Sequence, residues 1–378
     1  MEKIISLEAL NHNLRAVKTL LNSNTELMAI VKKDAYGHGA SVIVPELQSK
    51  GVRYFGVATL EEAMALRDQG IYQNIVILSS FFEENIESLF EYRLTPTVST
   101  LRMAHQLVHE AKRLQQPLTL HLKVDTGMSR CGLFPEELEA AIAILGECDF
   151  LTIEGLYSHW ATADEFASMY AQRQEDQLLA CLKICREKGL NLRFVHMANS
   201  SGLLVRNLKN FNMVRIGILL YGQVPDRSLR GRLSLTPVMH WRARVVQTKI
   251  LAPGIGVSYG CQYQTTTETP VAIVNAGYGD GFPQALSGQG KVLINGQKRP
   301  IIGTVCMDFV IVQLESSDKV SVGEEVCLLG QQGSAMIDAL EMATQAGSIP
   351  YEILCRGAQM RTVELEEIIL NKNGGALR

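Results

Sequence analysis

The chemistry in this chain gathers first in the stretch Met28–Ala40, MAIVKKDAYGHGA. The apolar run Met28–Val31 reads as a buried strand that ends on Lys32, just before a turn-rich segment carrying Tyr36 and the Gly37/Gly39 pair. In a parallel sheet or barrel, ligands bind at the carboxyl ends of strands, so an amine placed there reaches a small molecule while its stem packs on the sheet. The plainer reading of Lys32 is a solvated surface lysine. Other polar residues recur at similar points: Lys123, Asp125 and Arg130 within KVDTGMSRCG, His159 at the end of GLYSH, His196, Asn199 and Ser200 in HMANSSG, then Arg215 and Gly217. Taken singly, His159 fits a satisfied core histidine and Arg130 a surface ion-pair partner; a single topology that gathers them favours a site.

That topology is legible in the apolar pattern. Strand candidates fall at Leu27–Lys32, Tyr54–Ala58, Ile75–Ser80, Leu94–Ser99, Leu118–Asp125, Thr152–His159, Arg193–Ser200 and Met213–Gly222. Helical periods intervene, after an opening helix over Leu7–Leu21; among them are Leu60–Gly70, Leu101–Leu114 and Glu165–Gly189. Eight strands alternating with helices make the α/β count of a (β/α)8 TIM-type barrel, with a doubly wound open sheet as the structural alternative. Beyond a linker at Pro225–Val238 the runs become β-rich, at His240–Leu251, Pro270–Gly279, a KVLING run and Arg299–Leu314, with a helix over Ala335–Ala346. The division expected is 1–232 for the barrel and 233–378 for a mostly β C-terminal domain.

With 378 residues, 47% hydrophobic, 20% charged and a net charge of −3, the chain carries no basic nucleic-acid footprint, and a small-molecule partner is expected. Its eight cysteines lack zinc-like spacing and read as reduced thiols, and His38, His105, His109 and His121 form no metal constellation. Without an apolar leader or a membrane-length apolar run, a soluble cytoplasmic protein with no membrane partner is expected.

An amine at Lys32 suggests a Schiff base with a carbonyl compound, because burial and nearby cations lower a lysine pKa. Pyridoxal 5'-phosphate (PLP) suits the surroundings. Its phosphate needs hydroxyls and backbone N–H groups, which Ser200, Gly217, Ile218 and Tyr351 could supply, and His159 could face its ring.

Nine motifs in order then resemble the bacterial alanine racemase family. They are VKKDAYGHG (31–39), KVDTGMSRCG (123–132), GLYSHWATAD (155–164), HMANSSG (196–202), MVRIGILLYG (213–222), GVSYG (256–260), AGYGDGF (276–282), GTVCMDF (303–309) and IPYEI (349–353). The resemblance implies that Lys32 carries PLP and is one catalytic base, with Tyr259 the other. It places Arg215 at the pyridine nitrogen, Arg130 near the cofactor phenolic oxygen and the substrate carboxylate, and His159 against the ring. Asn199 joins the cofactor site, Tyr36, Ser200, Gly217, Ile218 and Tyr351 hold the phosphate, and Met307 and Asp308 line the substrate end. Lys123 stands where family members often carry a carbamylated lysine.

Racemisation needs a group on each side of Cα, one removing a proton and one returning it, and lysine with tyrosine can serve. An arginine at the ring nitrogen stays protonated and donates, which gives a weaker electron sink and disfavours side reactions. By resemblance, Tyr259, Met307 and Asp308 come from the other subunit of a homodimer, and the D-alanine formed feeds the cell wall. Serine or another small amino acid is an alternative substrate. A PLP decarboxylase of the same fold, or a PLP carrier, fits less well: no Gly-Gly-Gly phosphate loop is present, and Tyr259 would have no task. Two departures from the family pattern are Cys131, read as packing, and Lys33, whose side chain is expected on the face opposite to that of Lys32.

Overall fold

The computed structural model describes residues 1–79, 86–357 and 361–363. Ser80, at the end of one expected strand, and the segment after Val363 lie outside the described residues. The first strand, β1 (Glu2–Ile5), is followed by eight strands that close into a parallel barrel in chain order. These are β2 (Glu26–Ile30), β3 (Tyr54–Val57), β4 (Asn74–Ile77), β5 (Thr95–Val98), β6 (Leu118–Lys123), β7 (Leu151–Tyr157), β8 (Phe194–His196) and β9 (Met213–Ile216), the last pairing back onto β2. Every residue of β3, β5 and β9 is buried, as a parallel strand held between a packed interior and a helical layer must be. The open-sheet alternative is thereby excluded.

Around the barrel, the helices at Leu7–Lys18, Leu60–Asp68, Leu101–Leu114 and Met169–Glu187 begin after Ser6, Thr59, Thr100 and Ser168. Each cap oxygen accepts the backbone N–H three residues on, satisfying a donor that the first helical turn leaves free. Asn13, on the first of these helices and fully buried, donates to the Leu220 and Thr236 carbonyls (3.1 and 2.7 Å) and accepts from the Thr236 N–H (2.8 Å). It ties the helical layer to the linker.

The second domain is built from β10 (Met239–Leu251), the short hairpin β11 (Gly256–Val257) and β12 (Tyr263–Gln264), β13 (Thr269–Val274), β14 (Lys291–Ile294), β15 (Gln297–Ile302), β16 (Val310–Gln313), β17 (Glu325–Gln332), β18 (Ala335–Ile337) and β19 (Arg361–Val363). Apart from the hairpin these join one nine-stranded sheet, in which β17 also pairs with β10 so that the sheet curls back on itself. β1 belongs to this sheet and not to the barrel, lying antiparallel to β10 and parallel to β19.

Two expected elements are divided. The run Arg299–Leu314 breaks at Gly303, whose φ is 68° and where a Cβ would come within 2.6 Å of the Val257 carbonyl oxygen. The helix expected from Ala335 starts only at Ala339, because Asp338 caps it (its carboxylate accepts from the Glu341 N–H) and 335–337 pair with β17. Likewise the strands expected at 193–200 and 213–222 end at His196 and Ile216, where the chain turns into the site.

Candidate active site

At the carboxyl end of the barrel lies a cavity of about 490 Å³. Lys32, Tyr36, Lys123, Arg130, His159 and Asn199 line it, together with Ser200, Arg215, Gly217, Ile218 and Tyr351. Tyr259, Met307 and Asp308 are not among its lining residues. Tyr259 is 73% exposed and Met307 53% exposed on the second domain, where the Thr304 hydroxyl donates to the Tyr259 carbonyl and the Gly279 N–H to that of Met307.

The chain after β2 is unusual. Lys33, Asp34, Ala35 and Tyr36 all have φ between 52° and 55°, a left-handed turn of four non-glycine residues, each carrying roughly 1–2 kcal/mol of steric cost. Contacts over-determine the turn. The Glu62 carboxylate accepts the Lys33 N–H at 2.8 Å, the Asp34 carboxylate accepts the Ala40 N–H at 2.7 Å, and Lys3 of β1 donates its buried amine to the Gly37 carbonyl at 2.7 Å. The Tyr36 ring packs between Tyr221 and Tyr351, with centroids 5.1 and 5.8 Å away. Because Lys32 already stands outside the strand, strand alternation does not govern Lys33. It borders the cavity, and its ammonium, 3.8 Å from Glu62, is held at the rim. Burial, reinforced by the Arg130 charge, holds the Lys32 amine below the ordinary lysine range.

Opposite the turn, both terminal nitrogens of Arg215 are hydrogen-bonded within the protein. Nη1 donates to His196 Nδ1 (2.7 Å), while Nη2 reaches the Ser158 carbonyl (2.8 Å), His159 Nδ1 (2.9 Å) and the Met197 carbonyl (3.1 Å). Burial lowers Arg215 to about 10, leaving it protonated, and burial together with the Arg215 charge keeps His159 well below its usual value. His159 is therefore a neutral ring with Nδ1 accepting from Arg215, and Asn199 stands 3.4 Å from its Nε2. Asn199 also caps the short helix that begins at Ser200, accepting from the Gly202 N–H.

Arg130 is presented by a loop that Asp125 shapes: its carboxylate accepts the N–H groups of Gly127, Ser129 and Arg130 at 2.9–3.0 Å. Asp125 thus serves the loop, not the cavity. Burial, with the Arg130 and Arg215 charges acting in the same sense, lowers Lys123 to about 8, and its ammonium stands 5.7 Å from the Tyr157 ring centroid.

One corner of the cavity has the make-up of an anion cradle. The Gly217 N–H donates to Ser200 Oγ at 3.3 Å, beside the Ile218 backbone and the phenols of Tyr36 and Tyr351. A Cβ on Gly217 would fall 2.5 Å from Tyr36 Oη, so the missing side chain keeps this corner open. Neutral hydroxyl and amide donors, a low-pKa amine and a fixed arginine fit a phosphorylated aromatic aldehyde. Sequence reasoning missed Tyr157 and Cys355, which also line the cavity, and took Cys131 for packing, whereas it faces the site. Tyr157 is the last residue of β7, two residues before His159 at the same carboxyl end of the barrel, a signal that could have found it. Among the described residues no cluster of His, Cys, Asp and Glu could hold a metal ion, and no helix is long and apolar enough to cross a membrane.

Fold and site together define a (β/α)8 barrel with an appended antiparallel domain and, at the barrel's carboxyl end, a cavity lined by a lysine amine of lowered pKa. The sequence profile described as alanine racemase, N-terminal domain, matches residues 5–225, and that of alanine racemase, C-terminal domain, matches 238–364. The chain belongs to the alanine racemase family. It is 37% identical over 371 residues to the alanine racemase of Halothermothrix orenii, covering 98% of this chain and 97% of that protein. The crystal structure of alanine racemase from D-cycloserine-producing Streptomyces lavendulae superposes with a TM-score of 0.91 at 33% identity, covering 96% of each chain. That of the Bartonella henselae enzyme with covalently bound pyridoxal phosphate gives 0.85 at 29% identity, covering 96% of this chain and 99% of that one.

Proposed function

We propose that the chain interconverts L- and D-alanine by a two-base mechanism with PLP held at Lys32. The cradle of Tyr36, Ser200, Gly217, Ile218 and Tyr351 would hold the phosphate, His159 would cover the ring, and Arg215 would donate to its nitrogen. When bound, PLP supplies a sink for the electron pair left at Cα once its proton is removed. Arg130 orients the substrate carboxylate. The Lys32 amine, kept below its ordinary pKa, takes or returns the Cα proton on one face, and Tyr259 of the partner subunit serves the other. Lys123, whose pKa is lowered to about 8 so that its neutral amine is more available than in an ordinary lysine, is suited to carbamylation; as a carbamate it would turn from a cation repelling Arg130 into an anion fixing it.

The observation that carries this reading is the separation of the two bases within one chain. Lys32, half-buried, lines the barrel cavity, whereas Tyr259 is 73% exposed on the other domain. A two-fold homodimer in which each subunit completes the other's cavity accounts for both. Lys32→Ala and Tyr259→Phe chains, each inactive alone, should regain about one quarter of wild-type racemisation after co-refolding in equal amounts. Half of the dimers would then be mixed, each with one intact site. No regain would sink the shared-site mechanism. The D-alanine product suits cell-wall synthesis, and rescue of a bacterium requiring D-alanine for growth is the corresponding test.

A further inference from the structure

Arg215 is the near end of a hydrogen-bond chain that leaves the cavity and crosses the barrel interior. A guanidinium has donors only, so His196 Nδ1, 2.7 Å from Nη1, must accept, which puts the His196 proton on Nε2. That N–H faces His121 Nδ1 at 3.0 Å, so His121 in turn carries its proton on Nε2, directed at Glu154 Oε2 3.4 Å away. Both imidazoles are fully buried, and the Tyr157 ring stacks on His196 with centroids 4.6 Å apart. A second proton on either ring would set N–H against N–H somewhere along the chain.

The far end is an acceptor on all sides. Glu154 Oε1 takes the Tyr54 hydroxyl (3.2 Å) and Arg193 Nη1 (3.0 Å), while Oε2 takes His121. Burial opposes its charge, but the His121 hydrogen bond and the Arg193 guanidinium more than offset that, and its pKa ends below the ordinary value. We propose that Glu154 is a positioning residue for the racemisation: acting through His121 and His196, it fixes the imidazole tautomers that hold the Arg215 guanidinium at the cavity. The inference rests on the reading that places Arg215 at the PLP ring nitrogen.

A carboxylate can only accept, so it permits one direction of the chain. An amide at the same place can donate to His121 Nε2, which reverses both imidazoles and turns a His196 Nδ1–H against Arg215 Nη1. Nη2 would keep the Ser158 and Met197 carbonyls, so the guanidinium would swing and not be released. The effect belongs to catalysis more than to substrate binding.

The test compares wild type, Glu154→Gln and Arg193→Met. Arg193→Met removes the ion pair but leaves Glu154 an acceptor, so it reports any merely structural effect. Histidine-labelled protein, with and without PLP, is read by heteronuclear NMR for the nitrogen that carries each proton. Wild type and Arg193→Met should show Nε2–H at both His121 and His196, and Glu154→Gln should populate Nδ1–H at His196. In the holoenzyme, Glu154→Gln should also shift the visible absorption of the bound cofactor and lower kcat about tenfold, with KM within about twofold, the effect of one weakened charge-assisted hydrogen bond. Wild-type tautomers in Glu154→Gln, or equal disturbance in Arg193→Met, would overturn the proposal. Should wild type bind no PLP, the functional reading fails, and the spectra without cofactor still decide the role of Glu154.

Discussion

Replacing Gly217 by alanine tests whether the cradle is built around a missing side chain. The added Cβ would lie 2.5 Å from Tyr36 Oη and 2.8 Å from Cζ, well inside ordinary contact. Tyr36 has little room to retreat, since its ring is wedged between Tyr221 and Tyr351 and its backbone sits in the left-handed turn. Overpacking of this kind costs about 1–3 kcal/mol of stability. A Tyr36 hydroxyl turned away from the phosphate forfeits a hydrogen bond to a charged group, about 1.5–3 kcal/mol, or roughly 10- to 150-fold in PLP affinity. Titration of the cofactor-free protein with PLP, followed by visible absorption, measures the second effect, and thermal unfolding without PLP measures the first. Adding Tyr36→Phe removes the 2.5 Å clash, so the double variant should recover part of the stability and none of the affinity. A Gly217→Ala protein with wild-type melting and wild-type PLP affinity would refute the cradle.

With its pKa lowered to about 8 in the fold against an ordinary 10.5, unmodified Lys123 binds fewer protons folded than unfolded between those values. Its contribution to stability is therefore least favourable below pH 8 and improves as pH rises toward 10.5, by about 3 kcal/mol in all. In carbonate-free buffer, wild type should gain on Lys123→Met in denaturant melts between about pH 7 and 10; a constant difference would contradict the assigned burial. Bicarbonate at neutral pH should add the mass of CO2 to the wild type and not to that variant, with mass spectrometry of the intact chain as the check. Asn13→Ala breaks three hydrogen bonds to backbone groups around the linker and should cost about 2–4 kcal/mol in chemical denaturation, whereas a loss under ~1 kcal/mol would mean that the linker finds other partners.

How far the sequence revealed the molecule depended on how local the governing interactions are. The helix Leu101–Leu114 is found with the bounds its periodicity and Thr100 cap indicate, and the barrel follows from alternating apolar strands and helical periods. The left-handed turn was not legible, because of residues 33–36 only Asp34 is of a type that visits positive φ, and then singly. It is imposed by Glu62, Lys3 and the aromatic pair Tyr221 and Tyr351, all distant in sequence. Cys131 was misjudged because its neighbours are set by the Asp125 loop, a shape made by side chain to backbone bonds. His121 enters the sequence reading only as one of four histidines that form no metal constellation, although it stands two residues before Lys123 on the same strand and so shares its face.

The pairing of Glu2–Ile5 with β10 makes the entire barrel, in chain terms, an insertion between two adjacent strands of the other domain. Ile5 and Met239 meet across about 230 residues, a contact of high order whose loop-closure entropy weighs on the folding rate. A cut in the 225–238 linker would leave the two lobes clasped by that strand. Since Lys3 on it also props the turn that follows Lys32, stripping away these few residues would loosen at one stroke the far sheet and the seat of the Lys32 amine.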